Sequence, residues 1–140
     1  MKRGWNGSET KSYRETISLG KNLSYYLETG DVIGLTGDLA SGKTTFIKGI
    51  LKGFNYTQAV TSPTFTLINE YDADLKVIHI DFYREKNIER WNNIGLQEIL
   101  NNEAIIIIEW ADLLLDLLPE NIVKIYFNHL SNNHRKIYTE

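Results

Sequence analysis

The residues whose types and spacing most clearly indicate chemistry are the eight consecutive residues 37–44, which read GDLASGKT. They match the phosphate-loop (P-loop, Walker A) pattern G-x-x-x-x-G-K-[ST], in which backbone N–H groups and a helix N-terminus surround phosphate groups. In such a loop Lys43 contacts the outer phosphate oxygens, Thr44 ligates Mg²⁺, and Thr45 donates to the innermost phosphate. The predicted nucleotide contacts of this stretch are Gly37, Asp38, Leu39, Ala40, Ser41, Gly42, Lys43, Thr44 and Thr45.

Two acidic residues each follow an apolar run. Asp81 ends VIHID, and Glu109 ends IIIIE. If both runs are parallel strands, the two carboxylates emerge at the carboxyl edge of the sheet, where open α/β folds bind ligands. A carboxylate there holds magnesium and orients the attacking water. We therefore predict Lys43, Asp81 and Glu109 as catalytic residues and Thr44, Asp81 and Glu109 as metal ligands; the alternative for either acid is a strand cap without chemistry.

Two further features of the sequence bear on which nucleotide is bound and which reaction is catalysed. The guanine-selecting pattern N-K-x-D does not occur in the sequence, which favours ATP over GTP. Arg84, Lys86 and Arg90 form the only basic group in the middle of the chain, and they alternate with Glu85 and Glu89. Such mixed charge is typical of a solvated surface, so a lid that clamps a phosphate acceptor is the less favoured interpretation.

The elements that must position these residues follow from hydrophobic periodicity. Residues 32–35 are a short buried strand before the loop, and apolar residues at helical spacing over 46–51 predict a helix that ends at Gly53. An earlier helix begins at the capping-box pair Ser12 and Glu15 and runs to about Leu27. Residues 1–11 are polar and are predicted to be a loose end in which Trp5 alone could pack.

Further strands are predicted over 60–71, 76–82, 104–109, 122–127 and 135–139, with helices over 94–101 and 113–118 and a polar region between 82 and 94. Isoleucine on both faces of 104–109 indicates a strand covered on both sides, as in parallel sheets. The pattern predicts one α/β domain over residues 1–140 with the P-loop NTPase fold. Its central sheet is mostly parallel and flanked by helices, with an antiparallel C-terminal hairpin at the edge.

Composition excludes several classes of function. The chain has 140 residues and no cysteine, which excludes disulfide scaffolds and thiolate catalysis. His79, His129 and His134 lack metal-ligand spacing and are interpreted as surface or core residues.

Charge and hydropathy exclude two further classes of protein. The net charge of −3 argues against a protein whose main function is to bind nucleic acid. No apolar run approaches the roughly 20 residues that cross a bilayer, so we expect a soluble, cytoplasmic protein without membrane contact.

Five segments, in order, resemble one family: GDLASGKTTF, TSPTFTLINEY, HIDFYR, NIGLQEIL and IIEW. They are similar to the TsaE (YjeE) family, the ATPase component of bacterial threonylcarbamoyl-adenosine (t6A) tRNA modification, over about residues 13–127. The resemblance implies slow ATP hydrolysis that acts on the TsaB and TsaD subunits. That complex, and not the TsaE-like chain, transfers the threonylcarbamoyl group, so tRNA is reached only indirectly.

The resemblance also implies roles for individual residues. Thr44 and Glu109 lie on the magnesium side, Asp81 is an acid needed for hydrolysis, and Trp110 packs near the site. Tyr13 and Thr16 belong to the segment that contacts adenine, and Arg135 is a further candidate. Residues 62–66 correspond to a loop that behaves like a GTPase switch. Ala40 stands where the family usually has glycine, and a positive φ there would strain the loop by about 1 kcal/mol.

Two alternatives stay open on the sequence. A small-molecule or nucleotide kinase would use Arg84 and Arg90 on its acceptor, and would place labelled phosphate on a metabolite. A non-hydrolysing, ATP-sensing scaffold would need Lys43 but neither acid.

Overall fold

The computed structural model describes residues 1–38, 41–60 and 66–140. Within these ranges seven strands form one sheet in the order β1-β7-β6-β2-β5-β4-β3. The strands are β1 (Gly7–Thr10), β2 (Val32–Gly37), β3 (Ile68–Asp72), β4 (Lys76–Asp81), β5 (Ile105–Glu109), β6 (Val123–Ser131) and β7 (His134–Thr139). The helices are α1 (Tyr13–Ser24), α2 (Lys43–Gly53), α3 (Ile88–Ile94) and α4 (Leu96–Leu100), and a 3₁₀ helix covers Ala111–Leu117.

The four central strands β6, β2, β5 and β4 run parallel, and the outer pairings β1–β7, β7–β6 and β4–β3 are antiparallel. The expected α/β architecture, with a mostly parallel centre and an antiparallel C-terminal hairpin, is therefore confirmed. The hairpin β6–β7 is not the outermost part of the sheet, because β1 pairs with the far side of β7.

Side chains of the central strands alternate between two apolar cores, one on each face of the sheet. Leu35, Val77 and Ile107 lie in the core that also holds buried residues of α1 and α2. Ile80 and Ile108 lie in the opposite core, together with Trp91 of α3 and Leu96 of α4. Both faces are covered, which is why β5 needs isoleucine at four successive positions.

The prediction that residues 1–11 form a loose end is wrong. β1 pairs with β7 in register from Gly7 opposite Tyr138 to Thr10 opposite Arg135. Trp5 is 4% exposed, and its ring lies 6.1 Å from that of Phe46. Because β1 is short, polar and on the margin of the sheet, it carries no apolar alternation that would reveal it.

Two further boundaries differ from expectation. The region between 82 and 94 contains α3, which Asn87 caps by accepting a hydrogen bond from the Arg90 N–H, and which buries Trp91 completely. The strand expected over 60–71 begins only at Ile68, and Leu67 has a φ of 63° that breaks the extended run. Residues 61–65 lie outside the described ranges.

Helix α1 begins as the capping box predicts, since the Ser12 hydroxyl accepts a hydrogen bond from the Glu15 N–H at 3.1 Å. It ends at Ser24, before the expected limit, although Leu27 remains buried. In the part of the chain that the structure describes, no helix has the length and apolar character required to cross a membrane.

Candidate functional site

The phosphate-loop sequence connects the end of β2 to the start of α2. Gly42 caps α2 with a φ of 99°, a conformation that favours glycine. A Cβ on Gly37 would lie 2.7 Å from the Cβ of Phe127, so glycine is also required there for close packing. The Ser41 N–H donates to the Asp38 carbonyl at 3.1 Å. Leu39 and the unusual Ala40 lie outside the described residues.

Lys43 occupies the first position of α2 and is 6% exposed. Its Nζ donates to the Gly37 carbonyl and, at 3.1 Å, to the Asp38 carbonyl, and it lies 4.1 Å from the ring centroid of Trp110. Burial lowers the pKa of Lys43, and the nearby carboxylates, first among them Glu109 and then Asp81, oppose that shift. The ammonium is thus a partly desolvated cation within the field of both predicted acids.

Asp81 and Glu109 are neighbours at the carboxyl edge of the sheet. They face each other in the parallel register of β4 and β5, and Glu109 is also level with Leu35 of β2. Asp81 is 7% and Glu109 4% exposed. Burial is the main cause that raises the pKa of Asp81, and the Glu109 charge adds to it, whereas a hydrogen bond at 2.8 Å from the Tyr83 N–H opposes the rise.

His79 is part of the same cluster, which the sequence interpretation missed. Its imidazole is fully buried, and Nε2 lies 2.8 Å from Oε2 of Glu109. The spacing in the sequence could have indicated this: His79 precedes Asp81 by two residues on β4, so both side chains point to the same face of the sheet. The histidine looked isolated because its partner is 30 residues away in sequence.

Trp110 covers the lysine from the side of β5. It has a left-handed backbone with a φ of 59°, and its N–H donates to the Leu35 carbonyl at 2.9 Å. Its ring centroid is 4.8 Å from that of Tyr83. Trp110 therefore lies next to the site, as the family resemblance implied.

A cavity of about 200 Å³ opens beside the end of the loop. It is lined by Tyr13, Thr16, Gly42, Thr45, Asn133 and Arg135. The Thr16 hydroxyl is buried and lies 2.8 Å from that of Thr10, whereas Tyr13 is 54% exposed. A Cβ on Gly42 would come within 3.1 Å of the Arg135 side chain. Fold topology thus brings the three predicted adenine contacts, Tyr13, Thr16 and Arg135, to one place next to the loop.

The donor set at the sheet edge suits a hard cation. Asp81 and Glu109 offer carboxylate oxygens there, and the half-buried Thr44, next to Lys43 at the start of α2, offers a hydroxyl. Within the described ranges no group of three or more His, Cys, Asp or Glu side chains is arranged as a metal site. Magnesium commonly takes only one or two carboxylates and completes its shell with phosphate oxygens and water, so these residues fit that ion.

Other predicted residues stand apart or are not described. Thr66, at the end of the switch-like segment 62–66, is exposed, and its hydroxyl lies 2.9 Å from Oδ1 of Asn69. The rest of that segment falls outside the described residues. The buried Ser41 hydroxyl has no hydrogen-bond partner among the residues that the structure describes.

Comparisons with known proteins identify the family of this chain. The family model "Threonylcarbamoyl adenosine biosynthesis protein TsaE" matches residues 10–137. The chain is 36% identical over 129 residues to the tRNA threonylcarbamoyladenosine biosynthesis protein TsaE of Bacillus subtilis, covering 91% of this chain and 80% of that protein. It is 37% identical over 128 residues to the protein of the same name from Treponema pallidum, covering 91% of this chain and 95% of that protein.

A solved structure is similar as well. The crystal structure of Bacillus subtilis YdiB superimposes with a TM-score of 0.80 at 33% identity and covers 94% of this chain and 81% of that one. The resemblance seen in the motifs is thereby confirmed. This chain belongs to the TsaE family of tRNA threonylcarbamoyladenosine biosynthesis proteins.

Proposed function

We propose that this chain binds Mg²⁺ and ATP, hydrolyses the nucleotide slowly, and thereby acts on a TsaB–TsaD transferase complex in t6A modification. One observation carries the proposal: Lys43 lies in the field of Asp81 and Glu109, at the carboxyl edge of three parallel strands. This arrangement supports phosphate binding and hydrolysis by the same small cluster.

Phosphate binding would rely on Lys43 and the start of α2. The lysine ammonium is held by two carbonyls and an aromatic ring, and none of these carries a full negative charge. A phosphate oxygen is a stronger partner for a partly desolvated cation, so the triphosphate would replace the carbonyl contacts. The N-terminus of α2, where Gly42 allows close approach of a ligand to the backbone, adds partial positive charge.

Asp81 and Glu109 would have different roles in hydrolysis. Burial raises the pKa of Asp81, which would make its carboxylate a stronger base toward the attacking water. Thr44 and Glu109, with Asp81 beside them, are the residues that would hold magnesium. The ion, when bound, supplies positive charge to the phosphate oxygens.

The cavity beside the loop would receive the adenine. Tyr13 offers an exposed ring for a flat base, and Thr45 and Gly42 connect the cavity to the phosphate end. Because the sequence lacks the guanine-selecting N-K-x-D pattern, we propose ATP as the nucleotide. The net charge of −3 is in keeping with a chain that meets tRNA only through its partner complex, in the cytoplasm.

The test is ATP turnover by the purified chain, alone and with TsaB and TsaD. Lys43→Ala should abolish ATP binding, because the phosphates lose their counter-charge. Asp81→Ala and Glu109→Ala should lower turnover by about 10²-fold or more while binding stays within a few-fold. Lys48→Ala, which removes a lysine from the same helix outside the site, is the matched control.

The outcomes separate the open alternatives. Labelled γ-phosphate should appear as free phosphate; if it appears on a metabolite, the chain is a kinase. If TsaB and TsaD neither bind in an ATP-dependent way nor change turnover, the partner assignment is wrong. A scaffold that only senses ATP would keep its effect on the partner complex in both acid variants and lose it in Lys43→Ala.

A further inference from the structure

His79 is a polar side chain in an apolar layer. It lies on the face of β4 that carries Val77, and its register partner on β5 is Ile107; both neighbours belong to the core beneath α1 and α2. The imidazole is 0% exposed. Burying such a ring costs free energy unless it is hydrogen-bonded, and an aliphatic side chain would fill the same layer without that cost. Packing alone therefore does not account for histidine at this position.

The contact that does account for it is made with Glu109. Nε2 of His79 lies 2.8 Å from Oε2 of Glu109, and both side chains are almost completely shielded from water. Nδ1 of His79 has no hydrogen-bond partner among the described residues. The ring consequently has one bonding direction, toward the carboxylate, and an Nε2–H donor fits the carboxylate acceptor.

We propose that His79 is a positioning residue that holds the Glu109 carboxylate in its working orientation at the sheet edge. The inference rests on the proposed function, in which Glu109 serves the magnesium side of ATP hydrolysis. A glutamate has three rotatable side-chain bonds, and fixing one of its oxygens from a rigid strand restricts the carboxylate before the nucleotide arrives. Outer partners of this kind typically contribute 10–100-fold to metal affinity or activity.

The first experiment is a double-mutant cycle on ATP turnover with His79→Leu, Glu109→Gln and the double variant. His79→Leu should lower kcat by about 10–100-fold and leave ATP affinity within about threefold, because the hydrogen bond that the ring makes among the described residues is to Glu109 and not to the phosphate loop. In the Glu109→Gln background the same change should cost less than about threefold, since the carboxylate that it positions is gone. Ile107→Val perturbs the neighbouring packing without removing a polar contact and should leave kcat within about twofold of wild type.

The second experiment does not depend on ATP turnover. Nitrogen-15 NMR of the imidazole in the wild-type chain reports which ring nitrogen carries the proton. A proton on Nε2 supports the inference, and a proton on Nδ1 overturns it, even if His79→Leu does not fold.

The remaining outcomes are equally decisive. An unchanged kcat in a folded His79→Leu variant, or equal losses in both backgrounds of the cycle, overturns the positioning role while the proposed ATPase stands. If Glu109→Gln itself retains full turnover, the proposed role of Glu109 is wrong and the positioning role is overturned with it.

Discussion

At the scale of single residues, the site holds three charged side chains that are buried. Lys43, Asp81 and Glu109 are each at most 7% exposed, and each lies within the electrostatic field of the others. Charges that are removed from water cost folding free energy unless they are well paired. The cluster is therefore expected to reduce the stability of the nucleotide-free chain, and bound ligand would compensate.

Asp81 allows this cost to be measured. Its pKa in the folded chain is raised above the ordinary 3.8, mainly by burial, so the folded chain holds more protons than the unfolded chain just above that pH. Stability consequently falls as pH rises through this window, and the cost is complete above it. We expect Asp81→Asn to raise the Tm of the nucleotide-free protein at pH 7, with a gain that shrinks as pH falls toward 3.8.

The measurement is thermal unfolding at a series of pH values. Asn keeps an oxygen for the hydrogen bond from the Tyr83 N–H, which in the wild type spans 2.8 Å. Asp72→Asn, a change of the same charge at an exposed strand end, is the control and should show little gain. A lower Tm for Asp81→Asn than for wild type at pH 7 would contradict the burial argument.

At the scale of elements, α1 and α2 pack closely enough to fix the start of α2, the helix that follows the phosphate-loop sequence. A Cβ on Gly49 of α2 would lie 2.2 Å from the Ile17 carbonyl oxygen, and one on Gly20 of α1 would lie 2.2 Å from the Phe46 carbonyl oxygen. Both glycines thus face backbone that cannot yield as a flexible side chain would. The contact holds Tyr13 and Thr16, at the start of α1, beside Gly42 and Thr45.

Gly49→Ala tests this contact. Alanine gains about 1 kcal/mol of helix propensity over glycine, but forcing a methyl group against backbone typically costs about 1–3 kcal/mol, and here the helices must separate. We expect net destabilisation of up to about 2 kcal/mol in chemical denaturation, together with weaker ATP binding. A more stable variant with unchanged ATP affinity would show that the helices can part freely.

Gly30→Ala is the matched control for that experiment. Apart from Gly30 itself and its two chain neighbours, the described residues place no atom within 4 Å of the position of its Cβ, but the φ of Gly30 is +100°. This variant should lose stability only through backbone strain, by about 1 kcal/mol, and should keep wild-type ATP affinity.

At the scale of the whole molecule, residues near the start of the chain complete both the sheet and one of its cores. β1 covers β7, and Trp5 packs into the core that supports β2 and α2. The N-terminal segment is therefore a structural part of the unit that holds the site. Its polar composition gave no indication of this role.

Trp5→Ala measures that role. Removing a buried tryptophan leaves a cavity and typically costs about 3–5 kcal/mol. We expect a loss of this size in the free energy of unfolding, measured in urea. Tyr25→Ala, at a position that is 61% exposed, is the control and should cost less than about 1 kcal/mol. Equal small losses in the two variants would show that the segment contributes little.

The amino-acid sequence by itself determined the phosphate loop, the two strand-end acids, the α/β architecture and the family, because these are local patterns of residue type and spacing. It also placed the helix start at Ser12 and the double-sided burial of β5 correctly. It missed α3, whose buried Trp91 stands among polar residues, and β1, which is too short and polar to show alternation.

Only the tertiary structure decided which of the predicted residues meet. Register between β4 and β5 placed Asp81 opposite Glu109 and brought His79 within 2.8 Å of it. The pairing of β1 with β7 and the packing of α1 on α2 brought Tyr13, Thr16 and Arg135 to the loop. These contacts join residues that are far apart in sequence, and they depend on strand register and helix packing, which no local pattern encodes.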